Sequence, residues 1–240
     1  MTPTSNAATQ VQAVNENTWL VSFQCEINAA GIAQLQHFCH RLKAWVRDTY
    51  GEQALLDIVP SYQTVMVSFR LNIIDPLQCE QAIEHTLRQQ GQTASAPSNR
   101  QITLPVFYGA QVGPDLPHLS QSHQLSVEQV IKLHCEQVYR VYAIGFSPGF
   151  PYLAEVNPSI ATPRLRQARS KVPAGSVGIA DNQTGIYPNA SPGGWQIIGN
   201  CPTPLFDEHW QSLLQVGDEV QFEPIDQARF IKMGGQINEF

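Results

Sequence analysis

The sequence predicts two units: a small α+β lobe over residues 1–97, with a linker at its end, and a mainly β unit over residues 98–240. Three observations predict this. Amphipathic helical patterns alternate with short apolar runs through the first ninety residues and then become rare. The segment Gln92-Thr-Ala-Ser-Ala-Pro-Ser-Asn99 that follows is small and polar, the composition of a linker. Beyond it, the 58 residues from Tyr142 to Gly199 hold eight glycines and seven prolines, against three and four in the first hundred. A chain so rich in fixed and left-handed backbone positions builds short strands and rigid turns, not helices.

Taken in order, Thr18–Phe23 reads as a strand. Asn28 is placed to cap a helix running to about Thr49, because Ile32, Leu35, Phe38, Leu42 and Trp45 share one face. Gly51 suits the position after its end. The apolar runs Ala54–Val59 and Val65–Phe69 flank Pro60-Ser61-Tyr62 and predict a hairpin. Asp75-Pro76 opens a second helix with Leu77, Ile83 and Leu87 inward and Gly91 closing it. The order β-α-β-β-α is most of a ferredoxin-like split βαβ unit. In the second unit Ile102–Tyr108 reads as a strand. Ser126-Val-Glu-Gln129 has capping-box spacing before a short helix to about Glu136, and Val138–Ile144 is again a strand. Val177–Ala180, Trp195–Gly199, Glu219–Glu223 and Arg229–Lys232 are further short strands between turns, the pattern of a closed or sandwiched β architecture.

Composition narrows the function. With 42% hydrophobic and 14% charged residues the chain has the balance of a soluble globular protein. A net charge of −6 argues against nonspecific nucleic-acid binding. No run of about 18 apolar residues predicts a membrane span, and Met1–Gln10 lacks the pattern of a signal peptide. Five scattered cysteines form no C-x-x-C pair, so reduced thiols and a cytoplasmic location are expected. The charge is uneven: Arg164, Arg166, Arg169 and Lys171 lie within eight residues, whereas residues 201–240 carry seven acids against two bases. A basic patch on an acidic protein suits a small anion or one acidic partner.

Gly145-Phe-Ser147-Pro-Gly149 matches the nucleophile elbow G-x-S-x-G, but Pro148 and Pro151 oppose the helix that motif requires after the serine, so a rigid turn is the better reading. His37 and His40, three apart on the first helix, have no third ligand nearby and read as a solvated face. His134, on the short helix before Val138, is either a satisfied structural histidine or an acid/base group. No P-loop or dinucleotide fingerprint occurs. Gly175-Ser176 and Gly193-Gly194 have the composition of backbone anion nests, to which Arg169 and Lys171 would add charge. The alternative is that the basic residues line a solvated loop.

Four phrases, Gly145-Phe-Ser-Pro-Gly-Phe-Pro-Tyr-Leu153, Val172-Pro-Ala-Gly-Ser-Val-Gly-Ile-Ala180, Gln183-Thr-Gly-Ile-Tyr-Pro188 and Ser191-Pro-Gly-Gly-Trp-Gln-Ile-Ile-Gly199, occur in that order. Together they resemble the B subunits of prokaryotic 5-oxoprolinases. That family includes Kip-type sporulation kinase inhibitors and the part of urea carboxylase and urea amidolyase once called allophanate hydrolase subunit 1. Leu104–Gly109, Gly113–Leu116 and Leu133-His134 extend the resemblance, which is dense from Ile102 to Pro224. It implies a cyclophilin-like β-barrel from about residue 100, without proline isomerase activity. It also implies ATP-dependent opening of 5-oxo-L-proline to L-glutamate, with ATP and Mg²⁺ used by a three-component complex. The companions would be a C subunit similar to a biotin-dependent carboxyltransferase and an A subunit of the LamB/YcsF type.

On this resemblance Arg164, Arg169 and Lys171 would hold phosphate or carboxylate, and Gln183 and Tyr187 would orient the substrate. Gly193 and Gly194 would allow close backbone approach, Ser176, Phe146 and Phe150 would line the site, and His134 and Asp115 would serve as acid/base groups. The chain departs from the pattern where the family commonly reads Gly-Arg-Thr-Pro, having Gly199-Asn200-Cys201-Pro202, and in carrying Ala168 for the usual proline. Two alternatives remain: a regulatory protein that inhibits a sensor histidine kinase, and a fragment of a urea or amide carboxylase dependent on a biotin carrier.

Overall fold

Asn28 accepts a hydrogen bond from Gly31 N at 3.0 Å and so starts the first helix of the chain, α1 (Ala29–Tyr50). The computed structural model describes residues 10–89, 100–206, 209 and 211–237; the expected linker and the Gly91 helix stop lie outside them. The chain divides into two compact units, Met1–Ser98 and Asn99–Phe240.

The first unit contains β1 (Gln10–Asn15), β2 (Thr18–Ser22), α1, β3 (Leu55–Ser61), β4 (Thr64–Phe69) and α2 (Pro76–Arg88). Its strands pair antiparallel in the order β1-β2-β4-β3. Alternate residues Trp19, Val21, Val65, Val67 and Phe69 turn inward onto Leu35, Phe38, Leu42 and Val46 of α1. β1, mostly exposed, has no counterpart in the sequence reading. Asp75 and Gln78 close a capping box on α2, but Leu77 is 71% exposed and does not face inward. Cys79, Ala82, Ile83 and Thr86 form the buried stripe, and Leu77 lies two residues, about 200° of rotation, from Cys79.

The second unit contains β5 (Gln101–Phe107), α3 (Leu116–Ser122), α4 (Val127–Cys135), β6 (Val138–Ile144), β7 (Pro151–Ala154), β8 (Arg169–Val172), β9 (Ser176–Ala180), β10 (Gln183–Ile186), β11 (Ser191–Gly193), β12 (Gln196–Asn200), β13 (Glu219–Ile225) and α5 (Gln227–Lys232). Seven strands close into a barrel in the order β6-β13-β5-β12-β9-β10-β7, with β7 pairing back to β6. β5 and β13 run parallel, and the other described pairs are antiparallel. Leu104, Val106, Val141, Leu153, Val177, Ile179, Ile186, Ile198, Val220 and Phe222 fill the interior with Leu116, Leu119 and Val130 of the helices. β8 and β11 form a separate two-stranded ribbon.

The capping box before α4 is present. Arg229–Lys232, expected as a strand, lies in α5. Asp226 accepts from Arg229 N at 2.7 Å and caps that helix, and Phe230 is its one buried residue. After Ser147 comes a strand, β7, rather than a helix.

Candidate functional site

Strand alternation places a second apolar cluster on the other side of the barrel wall. Ile179, Ile186, Ile198 and Leu153 point inward, so Ala180, Tyr187, Ile197 and Tyr152 point outward. There Phe150, Val172, Ala180, Tyr187, Trp195 and Ile197 pack together, with Tyr152 partly buried against them. Phe150 meets Tyr187 and Trp195 edge to face, with centroids 5.2 Å and 5.3 Å apart. Phe150 is 1% exposed; it supports the site and cannot touch a ligand. Phe146, in the same loop, is 65% exposed and has φ of 66°. Its ring still leans on Phe150 at 5.5 Å and Tyr187 at 6.5 Å. A left-handed aromatic residue costs of order 1 kcal/mol and persists only where the surrounding turn dictates it. Here Gly145 N donates to Phe150 O and Phe150 N to Ser147 O, which locks that turn.

Two of the basic residues, Arg164 and Arg169, lie against this cluster. Arg169 Nη2 donates to Asp115 Oδ1 at 2.7 Å, and Asp115 Oδ2 accepts from Ile197 N at 2.6 Å. Both carboxylate oxygens are therefore engaged, which replaces the acid/base role expected of Asp115 with that of holding Arg169. In the ribbon Arg169 sits opposite Gly193. Arg164 lies 5.9 Å from the centre of the Trp195 ring, within cation–π range. Arg164, Arg166 and Lys171 are exposed. Tyr187 is buried, and burial raises its pKa. A hydrogen bond from the Trp195 backbone and the charges of Arg164 and Arg169 pull the other way. The phenol stays neutral, with two guanidinium groups near it.

Gly193 is required by Tyr187. A Cβ at residue 193 would lie 2.7 Å from Tyr187 Cε1 and Cζ and overlap the hydroxyl. Gly193→Ala is therefore expected to expel the Tyr187 ring, destabilise the chain by about 1–3 kcal/mol, and change the near-ultraviolet circular dichroism. An unchanged spectrum and melting temperature would show that the ring has room to move.

Other expected site residues sit elsewhere. Gly194 has open space, since an added Cβ meets only ordinary contacts at 3.7 Å or more. Gly175 N donates to Tyr187 O and Ser176 N to Pro173 O; these amides are used internally, so Gly175-Ser176 is not an anion nest. Ser176 is itself fully buried. Gln183 opens β10, whereas Tyr187 follows the end of that strand, four residues or about 13 Å away.

His134 is inside the barrel, 0% exposed and stacked on Phe222 with ring centres 4.7 Å apart. Thr184 Oγ1 donates to Gly178 O and therefore accepts from His134 Nε2–H at 2.9 Å, leaving Nδ1 to accept from the Tyr108 hydroxyl at 2.7 Å. Cys135 Sγ donates in turn to Tyr108 Oη. Every polar atom of the chain Cys135–Tyr108–His134–Thr184 has its partner, and burial lowers the His134 pKa to about 3. The acid/base reading of His134 gives way to a structural one.

The sequence reading did not find a pocket of ≈ 320 Å³ lined by Ala174, Gly175, Tyr187, Pro188, residues 200–205 and residues 234–236. Tyr187 belongs to both the pocket and the aromatic face. Two of the four turn-rich phrases, Val172–Ala180 and Gln183–Pro188, contribute to the pocket wall, joined by Asn200-Cys201, where the chain departs from the family pattern. Among the described residues no group of three His, Cys, Asp or Glu side chains is placed to hold a metal ion, and no helix is long and apolar enough to cross a membrane.

Comparison with known proteins accords with this layout. The family described as carboxyltransferase domain, subdomain C and D, matches residues 9–214. The B subunit of 5-oxoprolinase from Bacillus subtilis (strain 168) is 33% identical over 233 residues, covering 92% of this chain and 95% of that protein. The protein of the same name from Haemophilus influenzae is 40% identical over 184 residues, 76% of this chain and 85% of that one. A crystal structure of TTHA0988 superposes with a TM-score of 0.73 at 31% identity, over 88% of this chain but 40% of that longer chain. The chain thus belongs to the family of 5-oxoprolinase B subunits, within the carboxyltransferase domain, subdomain C and D, family.

Proposed function

We propose that this chain is the B component of an ATP-dependent 5-oxoprolinase, which opens 5-oxo-L-proline to L-glutamate only when assembled with a C subunit similar to a biotin-dependent carboxyltransferase and an A subunit of the LamB/YcsF type. The observation that carries the reading is the juxtaposition, on one barrel wall, of Arg169 braced by Asp115, Arg164 over Trp195, and a neutral Tyr187 that also walls a small pocket.

A lactam carbonyl is a poor electrophile. ATP, with its Mg²⁺, supplies the phosphoryl group that turns the carbonyl oxygen into a leaving group. The chain's own contribution is electrostatic. The exposed guanidinium and ammonium groups of Arg164, Arg166 and Lys171 attract the anionic reactants, and Arg169, unable to swing because Asp115 holds it, offers a fixed direction of charge. With Asp115 and Tyr187 committed to orienting roles and His134 sealed in the barrel, the acid/base groups of the reaction belong to a companion subunit. The reading makes the exposed, strained Phe146 part of the surface that meets it.

The test is reconstitution. The three coexpressed chains are expected to convert 5-oxoproline to glutamate with stoichiometric ATP hydrolysis, and Phe146→Ser is expected to weaken co-purification with the C subunit at least tenfold. If the assembled chains leave 5-oxoproline and ATP unchanged while this chain alone blocks autophosphorylation of a histidine kinase, the enzymatic reading is wrong. Bicarbonate-dependent turnover of an amide would instead identify a carboxylase component.

A further inference from the structure

The pocket beneath Tyr187 has no part in the charge stabilisation described above, and its walls differ in kind from the basic rim. We infer that it is a ligand subsite for the ring of a small neutral cyclic amide, with Asn200 reading the amide group; the inference rests on the oxoprolinase reading and assigns the lactam end of the substrate to this chain.

Four features carry it. First, the described lining residues include no acidic or basic side chain; their polar groups are the amides of Asn200 and Gln236, the hydroxyls of Tyr187 and Thr203, the Cys201 thiol and backbone. A carboxylate or ammonium placed there would lose its hydration without gaining a counter-charge, whereas an amide can exchange its water partners for these. Second, the two titratable lining groups are held neutral by burial, which raises the pKa of Tyr187 and pushes the Cys201 thiol up to about 11. The thiol is a wall, not a nucleophile.

Third, the pocket is preformed. Pro188, Pro202 and Pro204 line it with fixed φ, and Gly175, at φ of 78°, brings the backbone so close that a Cβ would lie 2.5 Å from Cys201 O and 2.6 Å from Asn200 Oδ1. Asn200 is 6% exposed, and its Nδ2 donates to Ala174 O at 2.9 Å. The amide plane is thereby fixed, leaving Oδ1 as the acceptor for a lactam N–H. Fourth, ≈ 320 Å³ lies at the lower end of the range for small-molecule sites. Tyr187 is the common wall, so a ligand with its ring in the pocket directs an anionic substituent towards the side where Arg164 and Arg169 act on the phenol.

The experiment is a titration of the ¹⁵N-labelled full chain, followed by amide chemical shifts, with 2-pyrrolidinone as the neutral lactam and pyrrolidinium chloride as the charged ring of the same size. The lactam is expected to give saturable shifts at Gly175, Asn200, Cys201 and Gly235, and pyrrolidinium none. Asn200→Asp is expected to weaken the lactam at least tenfold. Ala174 is exposed at the pocket mouth, and Ala174→Phe, which fills the mouth while keeping the Ala174 carbonyl, is expected to abolish the shifts in an otherwise native spectrum. Shifts confined to other residues, equal response to both rings, or undiminished binding by a folded Ala174→Phe chain would overturn the subsite. Turnover of 5-oxoproline by the complex with no lactam response in this chain overturns the subsite and leaves the enzymatic reading standing; saturable binding without turnover by the complex does the reverse.

Discussion

Asp115→Ala is expected to lower the melting temperature by roughly 6–12 °C and to cut turnover by the assembled enzyme at least 100-fold. The carboxylate accepts from Arg169 Nη2 at 2.7 Å and from Ile197 N at 2.6 Å, and the two side chains are 11% and 24% exposed. Its removal takes a charged partner from a partly buried guanidinium and the acceptor from a buried backbone N–H. Breaking a buried pair costs about 3–5 kcal/mol, and the partial exposure of Arg169 favours the lower figure. At about 2–4 °C per kcal/mol for a chain of this size, about 3 kcal/mol gives the stated shift. On the proposed function the loss of turnover follows from the freed motion of Arg169, since a charge that stabilises a transition state is worth about 3–4 kcal/mol only while it is held in place. Arg169→Ala should reduce turnover to a similar degree, and the double variant should be little worse than either single one. Additive effects on stability and turnover would show that the two side chains act separately. Asp115→Asn, which keeps an acceptor for Ile197 N, should retain more stability than Asp115→Ala while still losing turnover.

Acidification is expected to destabilise the barrel through His134 by about 1.4 kcal/mol per pH unit below about 6.5. The folded-state pKa is depressed from 6.5 to about 3 by burial. Above 6.5 both states are neutral at this residue and the stability of the buried network is fully present. As the pH falls through 6.5 the unfolded chain takes up a proton that the folded chain refuses until about pH 3, so unfolding is favoured by a total approaching about 5 kcal/mol. Protonating Nδ1 would also remove the acceptor on which the Tyr108 hydroxyl depends. Denaturant unfolding at pH 7.5, 6.0 and 5.0, compared with His134→Gln, isolates this contribution, because the surface carboxylates are common to both proteins. His134→Gln should be less stable at pH 7.5 and show a shallower acid slope; parallel slopes would place the histidine in contact with solvent.

The elements that the sequence located are those with local determinants. Asn28, Asp75 and Ser126 each cap a helix as read, because a cap is decided within three or four residues. The interior strands β2, β4, β9 and β13 were legible from apolar runs. Elements that depend on distant partners were missed or misread. β1 is polar and is a strand because β2 offers it an edge. β10 and β11 lie inside phrases that read as turns, and β8 lies in the basic stretch that ends at one of them. Residues 229–232 look like a strand by composition but follow the Asp226 cap into a helix.

At the site, the residue types were readable and their geometry was not. The basic cluster and the glycine–proline phrases were legible because local composition reports stiffness and charge. Whether Asp115 is a proton donor or a brace depends on Arg169 and Ile197, 54 and 82 residues away. Whether His134 can titrate depends on Tyr108, Thr184 and Phe222 closing around it.

From residue order alone came the family and the division of the chain into a small α+β lobe and a turn-rich β unit. Tertiary structure alone decided that the barrel has seven strands in this order, that Gln183 opens β10 while Tyr187 lies just beyond its far end, and that Asn200 and Gln236 line one uncharged hollow. The reason is physical: caps, turns and stiffness arise from neighbours along the chain, whereas burial, and with it the protonation and reach of each polar group, arises from neighbours in space.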